Sequence, residues 1–229
     1  MLFRYFYDED RWPREEDVET DRPWLDAMMV LLAAVGVFAI GAAYRRGWLL
    51  TGESEFVTAV NLCIPYLPIF VVLAIRRQSM ATVWLTSRAL PWKLFTGLLA
   101  AAVGLLVFIA MRGEWSRVPQ IIGEMGGRRS WIHAPAVFLE ALAVAFVFVR
   151  LHWLLKRPWI AVLIPCLLFA AGHVSSGIES GRSTWELAAF FVFNSALAAA
   201  IFSVVVRSRD VIWIAIPHFV LDIAIDAFG

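Results

Sequence analysis

Charge is what this sequence has least of. Only 17% of its 229 residues are Asp, Glu, Lys or Arg, against about 25% in an ordinary soluble domain. Acidic and basic residues nearly cancel, to a formal net charge of +1, so nothing argues for a nucleic-acid partner on electrostatic grounds. Cysteine is scarce as well. Cys63 and Cys166 each sit inside an apolar run, neither with metal-type spacing to a second cysteine. No disulfide framework is implied, and both read as small buried hydrophobes. The chain has no low-complexity segment, no convincing internal repeat and no soluble second domain. Its opening, MLFRYFYDEDRWPREEDVETDRP, lacks the basic start, short apolar centre and small-residue cleavage site of a signal peptide. Residues 1–23 read instead as a polar, acidic tail whose Phe3, Tyr5 and Phe6 can touch a membrane surface.

Apolar residues are what fill the remainder. They make up 61% of the chain, with a mean hydropathy of +0.73, more than one soluble core of this size can bury. The bilayer is the natural solvent. A spanning helix needs about 20 mostly apolar residues, and seven stretches approach that measure: 24–43, 57–75, 94–111, 132–149, 159–174, 185–206 and 211–228. The expected fold is an all-α polytopic membrane bundle of about seven transmembrane helices. Three of them and a long loop would occupy 24–131, and four would form a unit over 132–229. The joining segments carry Arg45-Arg46, Arg76-Arg77, Arg128-Arg129, Lys156-Arg157-Pro158 and Arg207-Ser208-Arg209. Trp24, Trp48, Trp92, Trp131, Trp159 and Trp213 stand at span ends, where an aromatic belt would place them. With seven spans, the Lys/Arg bias puts the N-terminus on the cytoplasmic side of a cell membrane and the C-terminus outside. Within 112–131, VPQIIGEMGGRR reads as a short interfacial helix ended by Gly126-Gly127.

Ionisable residues inside such spans are functional candidates by default, because each costs about 2.5–3.5 kcal/mol to insert. Glu140 lies in APAVFLEALAVAFVFV, His173 closes the fifth apolar run in FAAGHVSSG, and His218 and Asp222 lie in IAIPHFVLDIAIDAF. His218 and Asp222 are four apart and share a helix face. Three successive late helices thus each bring an ionisable group into the membrane. Each also has a structural reading. Glu140 can be a neutral acid bonded to a carbonyl, His173 an interfacial histidine, and His218 a packing residue beside the Pro217 kink. Asp226 and His133 fit the interface better than the interior, and Asn194 fits interhelical packing.

Taken together these residues resemble the CAAX protease and bacteriocin-processing (CPBP) family of intramembrane endopeptidases. That family's pattern is Glu-Glu-x-x-x-Arg on one helix, Phe-x-x-x-His on the next and His-x-x-x-Asn/Asp near the end. Here FAAGH supplies Phe169 and His173, HFVLD supplies His218 and Asp222, and Glu140 stands where the first Glu belongs. The resemblance runs from about residue 135 to the C-terminus, and the earlier spans match only as generic membrane helices. The chain departs from the pattern at Ala141, in place of the second Glu, and at Ala145, in place of the Arg.

The resemblance implies hydrolysis of a peptide bond in a membrane-associated protein or peptide, lipidated in some members, for processing or sorting. Such hydrolysis needs a base for water, an oxyanion donor and a proton for the leaving amine. Glu140 would activate water with His173, and His218 would stabilise the oxyanion. An ionised carboxylate cannot donate, so Asp222 would act by holding His218 in its donor tautomer. No cofactor is expected. The rival is zinc on His173, His218 and Asp222, with Glu140 as base. Two non-protease readings stay open: an immunity or membrane partner protein on the same scaffold, and a proton-coupled transporter using the four residues as a relay.

Overall fold

The computed structural model describes residues 55–179 and 181–228, together with positions 25, 28–29, 31–32, 35–36, 39–40, 43 and 46–48. At 55, 129, 158, 172, 173, 175–177, 179, 200, 204, 207, 226 and 228 it describes the backbone only. The expected tail over 1–23 lies outside the described residues. Within 24–43 every described position is helical.

Among the described residues all regular structure is helical. The helices are α1 (Glu55–Cys63), α2 (Leu67–Ile75), α3 (Leu90–Arg112), α4 (Val118–Gly126), α5 (Arg128–Leu155), α6 (Pro158–Glu179), α7 (Thr184–Ser208) and α8 (Ile212–Phe228). Short 3-10 turns occupy Ile64–Tyr66, Met80–Val83 and Trp115–Arg117. Four stretches are long and apolar enough to cross a membrane: Phe56–Ile75, Leu90–Arg112, Ser130–Leu155 and Thr184–Ser203. Trp159–Ala171 and Ile212–Ile225 are apolar but shorter.

Local chemistry explains the boundaries. Helix α3 starts with Pro91 in its first turn, where the missing N–H costs nothing, and stops at Gly113 in the left-handed conformation at φ 70°. Helix α7 begins at a capping box: the Ser183 hydroxyl accepts from the Glu186 N–H, and the Glu186 carboxylate accepts from the Ser183 N–H. The expected interfacial helix is α4, whose Ile121 is fully buried against Ile109 of α3 and Ala224 of α8. Arg117, just before it, donates to the Ala227 carbonyl at the end of α8, 3.0 Å away, a favourable place for a cation.

Helix α5 is the hub. It packs against α1, α4, α6 and α8, and its Leu142, Ala145, Phe146 and Val149 are fully buried. Around them gather Ile69, Val72 and Leu73 of α2, Ala161 of α6, Val205 of α7 and Val211 before α8. Helix α7 lies along α6, and α3 lies along α8. The α3–α8 contact depends on glycine. Pro217 has no N–H for the Trp213 carbonyl one turn earlier, and α3 approaches that carbonyl at Gly97. A Cβ there would stand 2.8 Å from Trp213 O and 2.6 Å from Ile216 Cδ1.

One end of the bundle is closed by buried charge. Lys93 in the first turn of α3 pairs with Asp210 before α8 at 2.5 Å, both side chains 4% exposed. The Lys93 ammonium also donates to the Thr86 carbonyl and hydroxyl. The Asp210 carboxylate accepts from the Ile212 N–H, capping α8. Burial pushes this carboxyl up while Lys93 pulls it back, with burial the larger cause. Beside the pair, buried Arg150 of α5 donates to the carbonyl and hydroxyl of Thr82 and to Gln78, and its guanidinium covers the Phe146 ring.

The second span keeps its expected extent as Phe56–Ile75, with a 3-10 stretch at Ile64–Tyr66 in its middle, where Pro65 and Pro68 stand. Two expectations are revised. His173 does not close its helix, because α6 runs on through 174–178 to Glu179, past the apolar run that periodicity detects. Trp213 is not a belt residue. It is 8% exposed and its indole N–H donates to the Ser208 hydroxyl, whereas Trp48, Trp92, Trp131 and Trp159 face outward. Cys166 is fully buried, and Cys63 is half-buried.

Candidate active site

Helices α5 and α8 run antiparallel and touch along their length. The end of α5 that carries Arg150 and the start of α8 at Asp210 share the closed end of the bundle: the Val211 N–H reaches the Trp84 carbonyl, and the Trp84 ring lies 5.4 Å from that of Phe148. At about 1.5 Å per residue, Glu140 lies ~15 Å along α5 from Arg150, and His218 lies ~12 Å along the chain from Asp210. The two side chains therefore arrive at the same depth from opposite directions.

They meet. His218 Nε2 is 4.0 Å from Glu140 Oε2 and 3.5 Å from Asp222 Oδ2. One imidazole nitrogen thus faces two carboxylates, one across the helix interface and one a turn further along its own helix. Both separations exceed a direct hydrogen bond, and they are short enough for one water to touch nitrogen and oxygen together. The side chains are 30% exposed for Glu140, 25% for His218 and 46% for Asp222, so none of the three is sealed in the core. Pro217 lies inside α8 immediately before His218.

Helix α6 supplies the third wall. The Phe169 ring lies 6.4 Å from the His218 ring and packs edge-on against Phe202 of α7, at 5.8 Å. His173 follows Phe169 by four residues on the same helix, and its side chain lies outside the described residues, as does that of Asp226. The structure thus brings three of the four expected site residues together, with the fourth on the adjoining helix.

The other polar candidates stand apart. The Asn194 amide donates to the Phe190 carbonyl of its own helix at 2.7 Å, so it is satisfied locally. His133 is half-buried near the start of α5, seven residues before Glu140. Ala141 packs against the core, and Ala145 is fully buried. The positions where the resembled pattern has Glu and Arg are here part of the apolar packing.

One neighbour escaped the sequence reading. Tyr66, in the 3-10 turn between α1 and α2, packs against the same core as Leu139 and Ala141 of α5, and the turn itself touches α5. The signal was present in IPYLP: two prolines three apart inside an apolar run, with a polar tip between them.

Among the described residues no group of three His, Cys, Asp or Glu side chains is arranged to hold a metal ion. His218 and Asp222 alone are two donors, fewer than the three protein ligands a catalytic zinc takes, and the zinc set named above draws its third from His173. Chemically, the described arrangement offers a carboxylate base on one helix, and on the other an imidazole nitrogen with a second carboxylate beside it. No family model, no curated protein and no solved structure matches the chain.

Proposed function

We propose that the protein is an intramembrane endopeptidase of the glutamate type, resembling the CPBP family, that hydrolyses a peptide bond of a membrane-associated protein or peptide. The observation that carries this reading is the approach of Glu140 Oε2 to His218 Nε2 from separate helices, with Asp222 facing the same nitrogen. Glu140 takes a proton from a water held between the helices, with His173 as its partner on α6. The hydroxide attacks the scissile carbonyl. The His218 Nε2–H, which faces Asp222 before substrate arrives, turns to the oxyanion once it forms. Glu140 then returns the proton to the leaving amine.

In this reading seven helices cross a cell membrane, counting the helical stretch within 24–43 and the shorter α6 and α8. The N-terminus is cytoplasmic by the Lys/Arg bias. The site then lies between mid-membrane and the outer face, which suits processing or sorting of exported proteins. No metal takes part, so activity survives thorough chelation. Loss on chelation with recovery on zinc would replace this version by the zinc one.

The packing of Ala141 and Ala145 favours a second reading, a catalytically inactive membrane partner such as an immunity protein. Co-expression with membrane-anchored candidate substrates separates the two. Cleavage by the wild type and none by Glu140→Gln supports the protease. A phenotype that persists in Glu140→Ala and His173→Ala supports the partner protein.

A further inference from the structure

Helices α2, α5 and α7 all stop at the end of the bundle closed by Lys93 and Asp210, and each stops on a cation. Arg77 follows Arg76 at the end of α2, and Lys156 and Arg209 directly follow α5 and α7. All three are in the left-handed conformation, at φ 53°, 52° and 52°. The turns are closed by the Gln78 N–H on the Leu73 carbonyl at 2.9 Å, the Lys156 N–H on His152 at 2.9 Å and the Arg209 N–H on Val205 at 2.7 Å. A side chain is disfavoured in that conformation, so glycine is its usual occupant. At the opposite end glycine is what stands there. Helix α3 stops on Gly113 at φ 70°, and the chain leaves α6 through Gly181 at φ 73°. The helix macrodipole favours a cation at any C-terminus, so it acts alike at both ends and does not explain the difference. Nor does α3 lack a cation: Arg112 stands in its last turn, and the left-handed residue after it is still glycine. Trp84 and Ala89 share the left-handed conformation but end no α-helix.

The two ends differ in charge as well. Arg76, Arg88 and Arg157 join the three helix stops in one basic face, all of them exposed or half-buried. Among the described side chains the acid at this end is Asp210, 4% exposed and paired with Lys93. At the other end Arg112, Arg117, Arg128 and Arg182 stand among Glu114, Glu124 and Glu186, with Arg117 and Glu114 paired at 2.7 Å. The Lys156 ammonium lies over the Trp153 ring at 4.4 Å, and Trp92 in the first turn of α3 and Trp159 at the start of α6 face outward at the same end. Such aromatic rings mark the level of a headgroup layer. We infer that this face binds anionic phospholipid headgroups of the leaflet it meets, with Arg77, Lys156 and Arg209 donating to lipid phosphate. A cation close to an anionic leaflet is attracted to it, and that attraction offsets the cost of a side chain in the left-handed conformation. The binding requires only that the bundle spans a membrane and does not depend on proteolysis.

The test holds the full chain in neutral detergent micelles with equimolar phosphatidylglycerol and phosphatidylcholine, and counts retained lipids by native mass spectrometry. The wild type should retain phosphatidylglycerol over phosphatidylcholine by about fivefold or more, the scale of one cation at an anionic surface. Arg77→Gly, Lys156→Gly and Arg209→Gly together keep the turns, because glycine suits the left-handed conformation, and should bring the ratio close to one. This variant should melt at or above the wild-type temperature in phosphatidylcholine, which shows it folded. It should also lose the rise in melting temperature that phosphatidylglycerol gives the wild type. Lys156→Gly alone should lower the ratio part of the way. Arg112→Gln, Arg128→Gln and Arg182→Gln together, at the other end, should leave the preference in place. Equal retention of the two lipids by the wild type overturns the inference and points to the acidic tail over 1–23 as the partner of these cations. Equal loss of preference in both triple variants overturns it too, because net charge and not the helix stops would then select the lipid.

Discussion

His218 Nε2 stands 4.0 Å from Glu140 Oε2, across the interface of two antiparallel helices, with Asp222 Oδ2 at 3.5 Å from the same nitrogen. A single imidazole edge is therefore the meeting point of the site. That nitrogen faces Glu140 on one side and Asp222 on the other.

In the proposed mechanism Asp222 would orient that edge without donating to the substrate. Asp222→Asn should keep cleavage within about tenfold, because an amide oxygen still accepts from the imidazole. Asp222→Ala should lower kcat about 100-fold, the scale of losing a positioned acid–base partner, with a melting temperature close to wild type. Rates of the three proteins in vesicles check this. Equal loss in Asn and Ala would mean that the charge itself is required.

The register of α8 depends on Gly97. Gly97→Val would drive a side chain into the Trp213 carbonyl, a backbone atom that cannot turn aside. The expected cost is about 1–3 kcal/mol of stability, with loss of activity because His218 shifts from Glu140. Gly104→Ala is the control: its nearest neighbour would be Leu221 Cδ1 at an ordinary 3.7 Å, so melting and activity should stay near wild type. Thermal unfolding in detergent reads both.

The buried Lys93–Asp210 pair closes the bundle, and an ion pair of this kind need not be a source of net stability, because taking both charges out of water offsets their attraction. Lys93→Met alone strands a buried carboxylate and should cost about 3–5 kcal/mol. Lys93→Met with Asp210→Asn keeps an acceptor for the Ile212 N–H and should be neutral or stabilising. Denaturation of the two variants checks the order, and a double variant no better than the single one would contradict it.

What the sequence revealed follows from which forces act locally. The apolar runs marked the helices, four of which among the described residues are long and apolar enough to cross a membrane, because lipid demands long uncharged segments whatever their neighbours. The i, i+4 spacing put His218 and Asp222 on one face, and the structure keeps them there. Gly126-Gly127 marked the end of α4. Features set by partners distant in the chain were hidden. The buried pairing of Lys93 was hidden because its partner is 117 residues away, and Trp213 looked like a belt residue because its burial comes from packing. The 3-10 stretch around Tyr66 was hidden because it shows only once both prolines are weighed together. The end of α6 was misplaced because helix propensity carries on after hydrophobicity stops.

The central claim is that Glu140 activates a water inside the membrane bundle. Its most direct measurement is cleavage of membrane-anchored peptides by the purified chain in vesicles made up in H2(18)O. The account predicts one heavy oxygen in each new C-terminal carboxyl with the wild type and no cleavage with Glu140→Gln. Equal cleavage by both proteins, or products whose new carboxyl carries no label, would contradict it.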